Sequence, residues 1–463
     1  MELFYFSMMS RILSKEDFGY FAVISAVTMV LSGISEAGLG SAVIQKKNAS
    51  DSFISTAYTL SIIIGILFTI AMFFFADYLS VITVKNNTLT KGFQISSVLL
   101  FLYSLSSLGR SFFMRKLEFL KFGIIQIISY FLSSVIGIIM ALQNFGFYSA
   151  LWATILYPTF LLTGIYLTGA IKFNIHINYI EAKQILSFGG WLTGSTILRT
   201  INTQVDKLII SHWLPIVSLG IYNRPSGFIN SGIDKVNSIF DVVLFPVLSN
   251  IQDDKGKILS SYYKSVTLVH LFSVIITCVL LLGTEVIVKI FFGDGWMGIY
   301  NIFSIISLST IFVCYGRIAD CYFRSLGEVR SYFIRRLIVL FSTVICVYLG
   351  CQSGIRGLAI GMFISTVIDS LIRWGFLVKI LGFSSYVLIR KMINVAWLPW
   401  MLAMLCLLLK NNSWFNSLLM VLAYFLLLFV SFVFFPKLYG DLFFHELYLK
   451  IKIKLIQRNK LVL

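Results

Sequence analysis

Between residues 219 and 247, Asn223, Gly227, Asn230, Asp234, Asn237 and Asp241 recur at i, i+4, i+7, i+11, i+14 and i+18. At 100° per residue they fall within about 40° of one line along a helix. Arg224 and Lys235, eleven residues apart, make a parallel row beside it. One segment earlier, Ser195, Arg199, Asn202 and Asp206 form a stripe of the same kind. An ionisable group at bilayer depth costs roughly 2.5–3.5 kcal/mol on insertion scales, so both faces must meet protein or water rather than lipid. Two readings follow. In one, the stripes are packing glue, with acids and bases satisfying each other across helices. In the other, they line a solvated cavity. There Arg199, Arg224 and Lys235, with Asn202 and Asn230, hold an anionic headgroup such as a pyrophosphate, whose oxygens suit the planar fork of a guanidinium. Asp206, Asp234, Asp241 and Glu36 would then balance that charge or carry a coupling ion. Arg110, Arg317, Arg324 and Arg373 stand nearer helix ends and are expected to snorkel into headgroups. Asp320 and Asp369 receive no role.

Other chemistries find little support. No GxSxG, P-loop or glycine-rich dinucleotide fingerprint is present, so the chain is read as a non-enzyme with no catalytic residues and no cofactor. The six cysteines lie in or beside apolar runs without a CxxC pair, and the four histidines are scattered, so neither disulfides nor a metal site is expected. A net charge of +17 would suit nucleic-acid binding in a soluble protein. Here it has another source.

The chain is 58% hydrophobic and 12% charged, about half the charge of a soluble domain. Its mean hydropathy is +0.90. Apolar runs long enough to span recur near 18–44, 53–76, 92–113, 121–142, 146–170, 186–205, 219–247, 264–283, 299–320, 333–350, 355–381, 391–409 and 414–436. The stretch Leu3 to Met9 reads as the tail of a further helix, which suggests that the chain's true start lies upstream. No secretory signal pattern is visible. Counted over alternate loops, 25 of the 37 Lys and Arg fall on one side and eight on the other, with Arg199, Arg224, Lys235 and Arg373 inside helices. The positive-inside rule makes the richer side, with the C-terminal tail, cytoplasmic. Topology accounts for the charge, and no nucleic-acid partner is expected.

Short patterns also repeat in order. Leu13-Ser-Lys-Glu-Asp-Phe-Gly19-Tyr20 resembles Leu214-Pro-Ile-Val-Ser-Leu-Gly220-Ile-Tyr222. Ile44-Gln45-Lys46-Lys47 resembles Ile251-Gln252-Asp253-Asp254. Phe113-Met-Arg115-Lys-Leu117-Glu118 resembles Phe323-Arg324-Ser-Leu326-Gly-Glu328 with one residue inserted. Six helices separate the copies, an even number, so the halves are parallel repeats about an axis along the membrane normal. The expected fold is all-α integral membrane: two parallel pseudo-symmetric six-helix lobes plus two C-terminal helices, about 13–14 transmembrane helices. The expected divisions are an N-terminal lobe (1–184), a C-terminal lobe (185–381), two additional helices (382–436) and a basic tail (437–463).

Five blocks carry a family resemblance. Arg11-Ile-Leu-Ser-Lys-Glu-Asp-Phe-Gly19, Glu36-Ala-Gly-Leu-Gly-Ser-Ala-Val-Ile-Gln45, Asp206-Lys-Leu-Ile-Ile with Leu219-Gly-Ile-Tyr222, Phe245-Pro-Val-Leu-Ser-Asn-Ile-Gln-Asp-Asp254, and Gly293-Asp-Gly-Trp296 look like the signatures of Wzx-type polysaccharide transporters. The likeness is to the colanic-acid and teichuronic-acid exporter branch, within the superfamily of multidrug antiporters and peptidoglycan-precursor flippases. It implies a flippase in the bacterial cytoplasmic membrane, working by alternating access. The implied cargo is an undecaprenyl-pyrophosphate-linked oligosaccharide destined for surface polysaccharide. Membrane lipids are implied partners, with a polysaccharide polymerase and chain-length machinery as further candidates. The alternatives are a cation-coupled drug antiporter of the same superfamily and a membrane-embedded polymerase. The polymerase is disfavoured by the lack of a long outer loop. Arg224 departs from the pattern, which has a small residue there.

Overall fold

The computed structural model describes residues 1–36, 38–46, 50–168, 175–252, 254–410 and 413–434. The side chains of some helical residues, among them Ser195, Asn237 and Asp241, lie outside the described residues, as does the basic tail 437–463. The first half contains α1 (Glu2–Ile12), α2 (Lys15–Ser35), α3 (Leu39–Gln45), α4 (Asp51–Phe74), α5 (Ala76–Val84), α6 (Thr90–Ser96), α7 (Val98–Arg115), α8 (Phe119–Leu142) and α9 (Phe147–Leu167). Then come α10 (Tyr179–Trp213), α11 (Ile216–Asn250), α12 (Lys255–Leu282) and α13 (Thr284–Ile287), followed by a π turn (Val288–Phe292) and a 3-10 turn (Asp294–Ile299). The chain continues with α14 (Tyr300–Ser325), α15 (Val329–Gln352), α16 (Gly354–Leu381), α17 (Ser385–Leu408) and α18 (Trp414–Phe434). No strand occurs among the described residues.

Among the described residues, every expected span is matched by one or more helices. The run 18–44 divides into α2 and α3, and 92–113 into α6 and α7. Among the described residues, eleven helices are long and apolar enough to cross a membrane by length and composition. The protein is an all-α, multi-pass membrane protein. It forms two compact units, one of Met1–Arg224 with Thr343–Leu358, the other of Pro225–Ser342 with Ala359–Leu463.

The duplication is visible in the backbone. α1 ends on Leu13 in extended conformation, its N–H bonded to the Met9 carbonyl. α10 ends on Leu214 in the same conformation, bonded to Ile210. The third repeat pair aligns better in structure than in sequence. α7 and α14 each close with a left-handed residue, Leu117 (φ 57°) and Gly327 (φ 69°). In each, the next residue's N–H bonds back to a phenylalanine carbonyl, Glu118 to Phe113 and Glu328 to Phe323, at 3.0 Å. This is one helix-terminating motif used twice. The pairing needs no inserted residue, because Gly327 occupies the place of Leu117 rather than an extra position.

The first pair of copies meets directly in the first unit. A Cβ on Gly19 would overlap the carbonyl of Ile216, and a Cβ on Gly220 would overlap the carbonyl of Lys15. Lys15 and Ile216 are themselves equivalent in the repeat, so the contact is reciprocal. Backbones this close exclude any side chain larger than hydrogen. Neighbouring block residues support it. Ser14 and Asp17 form a capping box at the start of α2. Asp17 also accepts the Phe147 N–H at 2.9 Å, holding the start of α9. Arg224 donates to the Ser10 hydroxyl (2.8 Å) and the Phe6 carbonyl (2.5 Å) of α1. Its guanidinium lies over the rings of Phe6, at 3.5 Å, and Phe18, at 4.1 Å.

In the second unit a buried ion cluster joins α14, α15 and α16. Arg335, 0% exposed, reaches Asp320 at 2.7 Å and Asp369 at 3.0 Å. Arg336 reaches Asp320 at 3.0 Å, and Arg373 contacts both carboxylates. Arg373 is therefore not a snorkelling residue. Its side chain turns into the bundle because Asp369, one turn earlier, and Asp320 offer better partners than headgroups. Asp320 and Asp369 gain their role here. Elsewhere in this unit, Glu285 pairs with Lys410 and accepts from Ser417, both at 2.5 Å.

These contacts set two expectations for thermal unfolding of the purified, detergent-solubilised protein. Gly220→Ala, forced against a backbone oxygen, should lower stability by about 1–3 kcal/mol or more. Gly227→Ala, with no neighbour within 4 Å, should be neutral or gain about 0.5–1 kcal/mol. Asp369→Asn strips a carboxylate from buried guanidiniums and should cost about 3–5 kcal/mol. Asp234→Asn removes only an exposed pair with Arg317 and should stay within about 1 kcal/mol. Equal effects within either comparison would contradict the packing described.

Candidate functional site

Within the first unit, α2 gives way to α3 at a break. α2 ends at Ser35, Glu36 follows, and Gly38 takes a left-handed conformation (φ 64°) that turns the chain into α3. Small residues fix this break against its neighbours. Ser35 donates to the Leu100 carbonyl and Ser104 to the Ser35 carbonyl, each at 3.3 Å, tying the end of α2 to α7. Gly40 packs so closely on α7 that a Cβ would overlap the Ser111 hydroxyl. Arg115 donates to the Val43 carbonyl at 3.1 Å. On the other side, Gly33 faces Thr200 of α10.

This packing gives Glu36 its surroundings. Glu36 stands at this break, which packs on α7, the helix of Ser107 and Arg110, and on α10, the helix of Arg199. Both arginines are exposed at the protein surface, whereas Glu36 is half-buried. An exposed guanidinium can accept an anion through charge-assisted, forked hydrogen bonds.

Of the sequence candidates, Arg199 lies on a polar stripe and Glu36 is a charge-balancing or coupling candidate, while Arg110 is expected to snorkel. Ser104, Ser107 and Ser111, at i, i+3 and i+7, make a polar stripe along α7. The remaining candidates lie elsewhere. Asp206 is buried; it accepts from Tyr222 at 3.1 Å, while its second carboxylate oxygen has no hydrogen-bond partner among the described residues. Asn202 donates back to the Leu198 carbonyl of its own helix at 3.0 Å. Arg224 is committed to α1 and two phenylalanine rings. In the second unit, Asn230, Asp234 and Lys235 lie on an exposed face of α11, with Asp234 bonded to Arg317 at 2.5 Å. The Asp241 side chain lies outside the described residues. No group of metal-binding side chains occurs among the described residues.

The chain is similar to known proteins. The chain is 23% identical over 408 residues to the lipopolysaccharide biosynthesis protein WzxC of Escherichia coli (strain K12), covering 86% of this chain and 81% of that protein. It is 25% identical over 304 residues to the succinoglycan biosynthesis transport protein ExoT of Rhizobium meliloti (strain 1021), covering 65% and 61%. Among solved structures it matches the inward closed conformation of the lipid II flippase MurJ with a TM-score of 0.77, at 18% identity, over 95% of this chain and 97% of that one. That likeness establishes a shared fold. A family model described as polysaccharide biosynthesis protein matches residues 8–301, and the chain belongs to that family.

Proposed function

We propose that this protein is a flippase for polyprenyl-pyrophosphate-linked oligosaccharide repeat units. It moves them from the inner to the outer leaflet of the bacterial cytoplasmic membrane for O-antigen, capsule or exopolysaccharide synthesis. The observations that carry this reading are the polysaccharide biosynthesis family match over residues 8–301 and the exposed Arg199 on the polar stripe of α10. A membrane helix exposes a guanidinium only at a cost, and an anionic cargo recovers that cost by pairing with it. A lipid diphosphate offers the charge, and its prenyl tail can stay in the bilayer throughout. Similarity to WzxC, ExoT and the MurJ fold supports transport rather than polymerisation, and on this reading the chain is not an enzyme.

The lobes would be 1–184 and 185–381, with 382–436 as two added helices and the basic tail 437–463 on the cytoplasmic side. They would expose the cargo path to each face in turn. Lys235 and Asn230, with Arg199 and Asn202, would contact the headgroup or its sugars. Asp206, Asp234 and Asp241 would balance charge or carry the coupling ion. Arg224, bound to α1, would act by holding that helix.

The test is restoration of surface polysaccharide in a strain lacking its own flippase. The intact, expressed chain should restore it. Arg199→Ala and Lys235→Ala should each cut export at least about tenfold at normal expression, as expected for a lost charge-assisted contact. No restoration by the expressed chain sinks the flippase reading. Full export by both variants returns the polar stripes to a packing role.

A further inference from the structure

The starts of α10 and α17 carry one pattern twice. Tyr179, Lys183 and Leu186 recur as Tyr386, Arg390 and Ile393, each 207 residues on, the offset that also separates Ile44 from Ile251. The spacing i, i+4, i+7 sets each trio on one helix face. All six side chains are exposed, Tyr179 at 80% and Tyr386 at 72%. The other side of each start is fastened to its own unit. Asn178 caps α10, and its N–H donates to the Thr56 hydroxyl of α4 at 3.2 Å. Ser384 caps α17, and its N–H donates to the Tyr263 hydroxyl of α12 at 3.0 Å. Thr56 and Tyr263 are again 207 residues apart. Glu181 accepts from Ser50, Ser52 and Thr56, while Ile185 and Leu388 are buried. Polar groups are thus clasped inward while tyrosine and aliphatic side chains point outward, the reverse of a water-facing helix start. The charge tally puts both starts on the cytoplasmic side.

We propose that each trio is a seat for an anionic phospholipid headgroup of the cytoplasmic leaflet. In an α-helix the Cα–Cβ bonds lean toward the N-terminus, so Lys183 and Arg390 reach back toward the membrane surface rather than into the hydrocarbon. The cation meets the lipid phosphate, and the tyrosine one turn earlier lies among the headgroups. Leu186 or Ile393, a turn deeper, meets the acyl chain. An aliphatic stripe alone would suit any lipid. A cation set between a tyrosine and an aliphatic side chain, at the same place in both repeats, selects an anionic one. The seats peg α10 and α17 at a fixed depth, and the clasps on α4 and α12 pass that depth to each unit. They require only the membrane fold and the repeat, so they stand or fall independently of the flippase role.

The experiment uses the purified full-length protein in phosphatidylcholine nanodiscs, with a bimane label on Ile180→Cys or Val387→Cys, beside the trios but outside them. The unsubstituted protein, labelled in parallel, gives the background from the native cysteines, five of which are buried. A minor share of brominated phosphatidylglycerol should quench either label about two- to fivefold more than the same share of brominated phosphatidylcholine, the local enrichment that one cation gives. Aqueous iodide should quench weakly. Lys183→Gln should abolish the preference at residue 180 and leave it at 387, and Arg390→Gln the converse. Lys183→Arg and Arg390→Lys, which keep the charge, should retain it. Equal quenching by the two lipids overturns the headgroup seats and leaves an ordinary lipid-facing surface. Strong iodide quenching without lipid quenching puts the helix starts in water and overturns them as well. A preference that survives both glutamine variants overturns the role of the cations.

Discussion

The reciprocal contact of Gly19 and Gly220 is the constraint around which the first unit is arranged. Each glycine lies against the carbonyl four residues before the other, and the two are equivalent positions of a duplicated sequence. Two helices that approach to backbone distance have little freedom to slide or rotate. That fixes where Phe18 and Arg224 can stand, and through them where α1 docks. It also fixes Asp17, which caps α2 and the start of α9 at once. Residues that look like family signatures in the sequence are here the fasteners of a symmetric joint. Their chemistry is consumed by the fold, which leaves the cargo to be handled elsewhere.

Arginines divide into two kinds by the same logic. Arg224, Arg335 and Arg373 are enclosed, stacked on rings or held by carboxylates, and every one of them unites separate helices. Arg110 and Arg199 are exposed. A locked guanidinium stabilises, because breaking its pairs would leave a buried charge. An exposed one in a membrane helix does little for stability, and its retention requires another reason.

Much of the fold could be read from the chain. Runs of apolar residues located every span because a membrane forces backbone polar groups into helices and leaves few alternatives. The repeat was legible where it serves a backbone requirement, as at Leu13 and Leu214. Its third pair was misregistered by one residue, since similarity of side chains hid the fact that Leu117 and Gly327 share a left-handed conformation. Site residues were harder. Periodicity says which residues share a face but not what that face meets. It therefore grouped Arg224, which is locked to α1, with Arg199, which is open. Position near a helix end suggested snorkelling for Arg373; Asp369 stands one turn earlier on its own helix, but Asp320 lies on α14, and no local pattern announces it.

The pairing of Glu285 with Lys410 and Ser417 bears on how the molecule is made. Glu285 stands three residues beyond α12, in α13, whereas Lys410, which neutralises it, lies in the turn between the last two helices and Ser417, which donates to it, in α18. During synthesis that carboxylate emerges long before its partners do. It must wait near water or in the insertion machinery while α14 to α17 are threaded into the bilayer. The second unit is thus completed only when the final helix arrives. α17 and α18, which look like an appendix to two repeated lobes, act as the closing step of biogenesis. A chain that stops short of them would leave the Glu285 carboxylate beyond α12 without its cation.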